Sequence, residues 1–147
     1  MHVVEVGKGD ALEIAALIMW VLTAGAGLNL LVRWLSAGGP RRQGTKVTRF
    51  PAVLVLGHPT LALAALAIWV VFVLTASSVY AWSAFGALVL VALLGFILLT
   101  RWLTGEGGKH ARDAEEGFPA TAVVVHGVVA TLTFVLVLLT AIRVSRH

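Results

Sequence analysis

Four apolar runs, each long enough to cross a bilayer, leave this chain few folds to choose from. They cover about residues 11–35, 51–75, 81–103 and 119–142. A hydrocarbon core of about 30 Å is crossed by about 20 helical residues. Inside lipid only helices and closed barrels pair every backbone polar group. These runs are too long and too uniformly apolar for barrel strands. The expected fold is all-α: a four-helix transmembrane bundle forming a single domain over residues 1–147.

The punctuation between the runs agrees with that count. Ser36-Ala37-Gly38-Gly39-Pro40 is a strong stop for helix 1. Pro51 and Pro119 are good openers for helices 2 and 4, because proline lacks the N–H that a first helical turn leaves unpaired. Residues 76–80 read as a tight turn before helix 3. Pro59 lies inside helix 2 and is expected to kink or reset it. A cleavable leader is not expected, since the first apolar run follows acidic Glu5 and Asp10 rather than a basic segment.

Composition removes several chemistries. The chain is 59% hydrophobic and 12% charged, far from a soluble domain. It has no cysteine, which excludes disulfides, c-type haem attachment and iron–sulfur clusters. The net charge of +4 does not point to nucleic acid, because the basic residues lie at helix ends and in loops. No phosphate-binding glycine loop, metalloprotease spacing or nucleophile–base arrangement is present. An Ala/Val/Leu/Gly/Arg bias with little lysine suggests a GC-rich bacterial genome.

A second feature is repetition. One offset of 68 residues carries Phe50-Pro51-Ala52 onto Phe118-Pro119-Ala120, and His58 onto His126. The same offset carries Leu30-Leu31-Val32-Arg33-Trp34-Leu35 onto Leu98-Leu99-Thr100-Arg101-Trp102-Leu103, and Gly27 onto Gly95. The expected architecture is two tandem two-helix repeats, about 11–76 and 80–143. Each repeat crosses twice, so a pseudo-two-fold axis along the membrane normal should relate them.

Orientation follows from lysine and arginine. Arg33, Arg41, Arg42, Lys46, Arg49, Arg101, Lys109 and Arg112 flank the two long loops, against Lys8, Arg143 and Arg146 on the other side. The positive-inside rule then puts both long loops in the cytoplasm and both termini outside a bacterial plasma membrane.

His58 and His126 lie in the same position of their repeats, roughly 10 Å along the helix from the opening prolines. Ionisable residues inside a membrane mark function by default. No acidic or basic side chain in the core is available to pair with them. Two neutral imidazoles at matched depth suit the axial positions of one haem iron. Ala62 and Ala130 follow one turn on, and Ala65 and Thr133 near two turns on, sharing the histidine's face. Gly27 and Gly95 fall at about the same depth on helices 1 and 3, with Ala24 and Ala92 one turn further in. Small residues there would admit a flat macrocycle. Arg33 and Arg101 would lie near its cytoplasmic edge and could pair with propionates.

This layout resembles that of b-type cytochromes, including the four-helix core of quinol–cytochrome c reductases. There, histidines on the second and fourth helices hold haem while glycines on the first and third make room. The resemblance runs across all four helices through His58, His126, Gly27 and Gly95. It implies a membrane electron-transfer subunit with one haem b per chain, set in a respiratory or other redox complex, with quinone as a further candidate ligand. The chain departs from the family in having one histidine per ligand helix rather than two. Other readings compete with haem. The chain could be a non-haem accessory or assembly subunit of a larger membrane complex, its histidines bonding between helices. It could also be a small proton-coupled transporter. Arg33 and Arg101 could simply snorkel, and Gly27 and Gly95 could serve helix packing. Trp34 and Trp102, and Trp69, Phe72, Tyr80 and Trp82 on the other side, read first as interface belts, and Asn29 as an interhelix hydrogen bond.

Overall fold

The computed structural model describes residues 8–41, 50–104 and 118–146. These form four helices: α1 (Lys8–Ser36), α2 (Ala52–Thr75), α3 (Ser78–Thr104) and α4 (Ala120–Val144). Their apolar spans of 26, 24, 27 and 25 residues are each long enough to cross a bilayer.

The ends of the helices show how the sequence sets them. Pro51 and Pro119 are extended, with ψ of 131° and 127°, and act as N-caps rather than first helical residues. Their carbonyls accept the first helical amides: Leu54 at 2.9 Å and Val55 at 3.1 Å on Pro51, Ala122 at 2.9 Å and Val123 at 3.3 Å on Pro119. Each helix therefore starts one residue after its proline. α2 runs unbroken through Pro59.

The α2–α3 connection is shorter than residues 76–80. Ala76 adopts a left-handed φ of 52°, and its amide donates to the Phe72 carbonyl at 2.7 Å. One residue reverses the chain. The Ser77 carbonyl then takes the amides of Tyr80 and Ala81, so α3 begins at Ser78.

Packing is uneven in two ways. α1 lies mainly against α4 and α2 mainly against α3, with thinner seams between the two pairs. The buried side chains also gather at one end. Ala16 and Trp20 of α1, Ala65, Trp69 and Phe72 of α2, Ala81, Ala84, Leu88 and Val91 of α3, and Thr133, Val137, Thr140 and Ala141 of α4 form one core. That core fills the half of the bundle holding the α2–α3 turn. In the half nearer the long loops, residues 21–32, 52–64, 92–104 and 120–132 include no buried residue among those described. Large aromatic rings fill the first half, and glycine and alanine thin out the second.

Several aromatic residues take other places than a lipid belt. Trp69 and Phe72 are wholly buried, Trp69 packing on Trp20 at 6.1 Å between ring centroids and on Phe72 at 4.7 Å. They lie on the face of α2 turned into the bundle. Trp34 is buried as well, and a Cβ on Gly39 would run into its indole. The glycine turn after α1 thus folds over that ring. Tyr80 and Trp82 are exposed, as belt residues are. Asn29 bonds within its own helix instead of across helices: its Oδ1 accepts from Arg33 Nε at 2.9 Å. The two residues are one turn apart, and that local pairing wins.

Candidate functional site

α2 and α4 bring His58 and His126 together across the seam between the two helix pairs. Their ring centroids are 6.2 Å apart, and the ring planes cross at 76°. Each ring is partly buried.

Each imidazole is anchored by its neighbouring helix. His58 Nδ1 lies 3.1 Å from the Val91 carbonyl oxygen of α3, and His126 Nδ1 lies 3.2 Å from the Thr23 carbonyl oxygen of α1. A carbonyl can only accept, so each Nδ1 carries a proton and donates it. In a neutral ring this fixes the tautomer and leaves the Nε2 lone pair free to act as a ligand. Among the described residues, neither Nε2 has a hydrogen-bond partner.

The glycines explain how the rings fit. A Cβ on Gly27 would stand 3.0 Å from His126 Cε1, and one on Gly95 would stand 3.2 Å from His58 Cε1. Both distances are too short for comfortable contact. Gly25, Gly57 and Gly127 have nothing within 4 Å of such an atom. Within the membrane spans, the described glycines that answer a steric demand are the two beside histidines.

The other sequence-derived candidates are less directly placed. Ala62 is partly buried on α2 and packs against the core, and Ala130 is partly buried on α4. Arg33 is exposed in the last turn of α1 with its Nε held by Asn29, while Arg101 is partly buried in the last turn of α3. Towards the long loops, Phe50 and Phe118 meet edge-to-face at 5.5 Å, with Phe50 buried. The phenylalanines before both opening prolines thus close over one end of the seam.

Sequence reading missed the carbonyls of Thr23 and Val91, and the hydroxyl contact between Thr23 and Thr133 at 2.9 Å. The signal was faint: Thr23 and Val91 each stand one turn before the glycine that faces a histidine. Nothing in the sequence says that helix 1 serves His126 and helix 3 serves His58. Among the described residues no group of three or more His, Cys, Asp or Glu gathers to hold a metal ion. Among the described residues the site brings together two imidazole rings. No family model, curated protein or solved structure matches the chain.

Proposed function

We propose that this chain is a membrane-embedded electron-transfer subunit that holds one haem b between His58 and His126. The observation that carries the reading is the imidazole pair: 6.2 Å between ring centroids, each Nδ1 bound to a carbonyl and each Nε2 free. His58 and His126 would hold a metal through their two Nε2 atoms. A bare ion held by two imidazoles alone would be under-coordinated. A haem would bring its remaining ligands itself and would need only these two histidines from the protein.

The surroundings support a flat group. In the loop-side half, residues 21–32, 52–64, 92–104 and 120–132 include no buried residue among those described. Protein interiors ordinarily pack as densely as organic crystals. Gly27 and Gly95 let α1 and α3 close on the rings and hold them in place. Phe50 and Phe118 would shield the site from water at the loop end, and Arg33 and Arg101 lie at the helix ends where propionates would emerge. When bound, haem would supply one-electron redox chemistry.

The wider reading is of a bacterial plasma-membrane protein with its long loops in the cytoplasm and both termini outside. Its two halves are related by duplication and a pseudo-two-fold axis along the membrane normal. What supports the duplication is that the offset of 68 exchanges Thr23 with Val91 and Gly27 with Gly95, the residues that attend His126 and His58. Electrons would pass to or from quinone or a partner protein of a respiratory complex. A second reading, an accessory subunit without haem, is favoured by the same Nδ1–carbonyl bonds, which by themselves are ordinary interhelix glue.

The test is haem stoichiometry in protein expressed with ample haem. The proposal expects about one haem per chain, with nearly all of it lost in both His58→Ala and His126→Ala. Unchanged haem content in either variant contradicts it.

A further inference from the structure

Beyond their backbone anchors the two histidines are held differently. Thr23, whose carbonyl receives the His126 N–H, also reaches α4 with its side chain. Its Oγ1 lies 2.9 Å from Oγ1 of Thr133, a wholly buried residue two turns along α4 from His126. Thr23 Oγ1 also donates to Met19 O at 2.8 Å, and Thr133 Oγ1 to Val129 O at 2.9 Å. Two hydroxyl protons face three acceptors, so the bond across the helices forms when one of the threonines turns its proton from its own backbone carbonyl to the other hydroxyl. One residue of α1 is thereby tied to α4 twice, by its carbonyl at His126 and by its hydroxyl at Thr133.

The His58 side has no counterpart. The residue whose carbonyl receives the His58 N–H is Val91, and two turns along α2 from His58 stands Ala65. Both are buried and neither side chain can hydrogen-bond. The α2–α3 contact beside His58 is held by packing and the single Nδ1 bond.

We infer that Thr23 and Thr133 form a positioning pair for His126, making it the rigidly set imidazole of the two and His58 the compliant one. The hydroxyl bridge fixes the sliding register of α1 on α4, and that register decides whether the Thr23 carbonyl meets Nδ1. A partly buried hydroxyl pair suits this task, because its bond is directional while apolar packing tolerates small slides. The inference deepens the proposed function, since it names which axial ligand would be held firmly. It concerns the chain's own residues, so it can fail or succeed apart from haem.

The experiment is nitrogen-resolved NMR of the purified protein labelled with 15N-histidine, following the Nδ1–H signals of His58 and His126. In Thr133→Val, which keeps the side-chain shape and deletes the hydroxyl, exchange of the His126 Nδ1–H with solvent should quicken roughly fivefold, the worth of one net hydrogen bond. The His58 signal should stay unchanged. Thr133→Ser should restore the slow exchange, and Thr60→Val, which loses a hydroxyl bonded only within its own helix, should leave both signals alone. Equal changes at both histidines, no change at His126, or failure of serine to rescue would overturn the inference. A haem-free protein that still showed the selective His126 effect would overturn the haem reading alone.

Discussion

At the scale of single residues, the histidine–glycine contacts carry the sharpest prediction. A methyl group on Gly27 or Gly95 must push an imidazole or a helix aside, whereas one on Gly25 meets open space. Gly27→Ala and Gly95→Ala should each lower thermal stability in detergent by about 1–3 kcal/mol, the usual cost of overpacking. Gly25→Ala should be neutral or slightly stabilising, since alanine is the better helix former. Equal effects at the three positions, measured by thermal unfolding, would show that the glycines are not fitted to the rings. Trp69 carries a second prediction. Its indole N–H is buried without a partner, which ordinarily costs about 1–3 kcal/mol. Trp69→Phe removes that donor together with some volume, so unfolding should show a net loss below about 1 kcal/mol, much less than the usual core aromatic truncation. A loss of several kcal/mol would mean that the N–H has a partner.

The residues that meet at the candidate site were partly legible in the chain itself. His58, His126, Gly27 and Gly95 stood out because one offset of 68 residues carries His58 onto His126 and Gly27 onto Gly95, and a polar ring in an apolar run is costly enough to need a reason. Thr23 and Thr133 did not stand out. A threonine in a membrane helix usually bonds back to its own backbone, as Thr60, Thr100 and Thr131 do here. Only the pairing of helices, which the residue pattern does not encode, shows that two of them meet.

At the scale of elements, helix number and approximate ends follow from hydropathy and proline placement, and the short α2–α3 connection does not. Ala76 takes a conformation that alanine seldom adopts, and no glycine or asparagine announces it. A left-handed alanine costs about 1–2 kcal/mol. Ala76→Gly should therefore stabilise the bundle by about 1 kcal/mol, seen as a rise in the unfolding midpoint. A fall would mean that the Ala76 side chain has packing worth more than the strain. The aromatic residues teach a related lesson. Trp69, Phe72 and Trp34 were legible as near-interface aromatics, but which face of each helix turns inward depends on neighbours. The half-turn that separates a belt from a core was set by Trp20 and by the glycine turn after α1.

At the scale of the whole molecule, the bundle is divided into a packed half and a thin half. The core of Trp20, Trp69, Phe72, Leu88 and Val137 holds the helices together at the end near the α2–α3 turn. The other half keeps two histidines, two glycines fitted to their rings and a pair of phenylalanines at the seam between the helix pairs. Such a division places most of the buried packing at one end. A single group held by both histidines, as proposed, would bridge the two helix pairs, since His58 belongs to one pair and His126 to the other.

The measurement that tests this most directly is a dithionite-reduced minus air-oxidised absorption spectrum of the detergent-purified protein, expressed with ample haem. The account predicts the sharp Soret and α bands of a low-spin, bis-histidine haem b, near one haem per chain. A flat difference spectrum would contradict it and leave His58 and His126 as hydrogen-bonding residues of an accessory bundle.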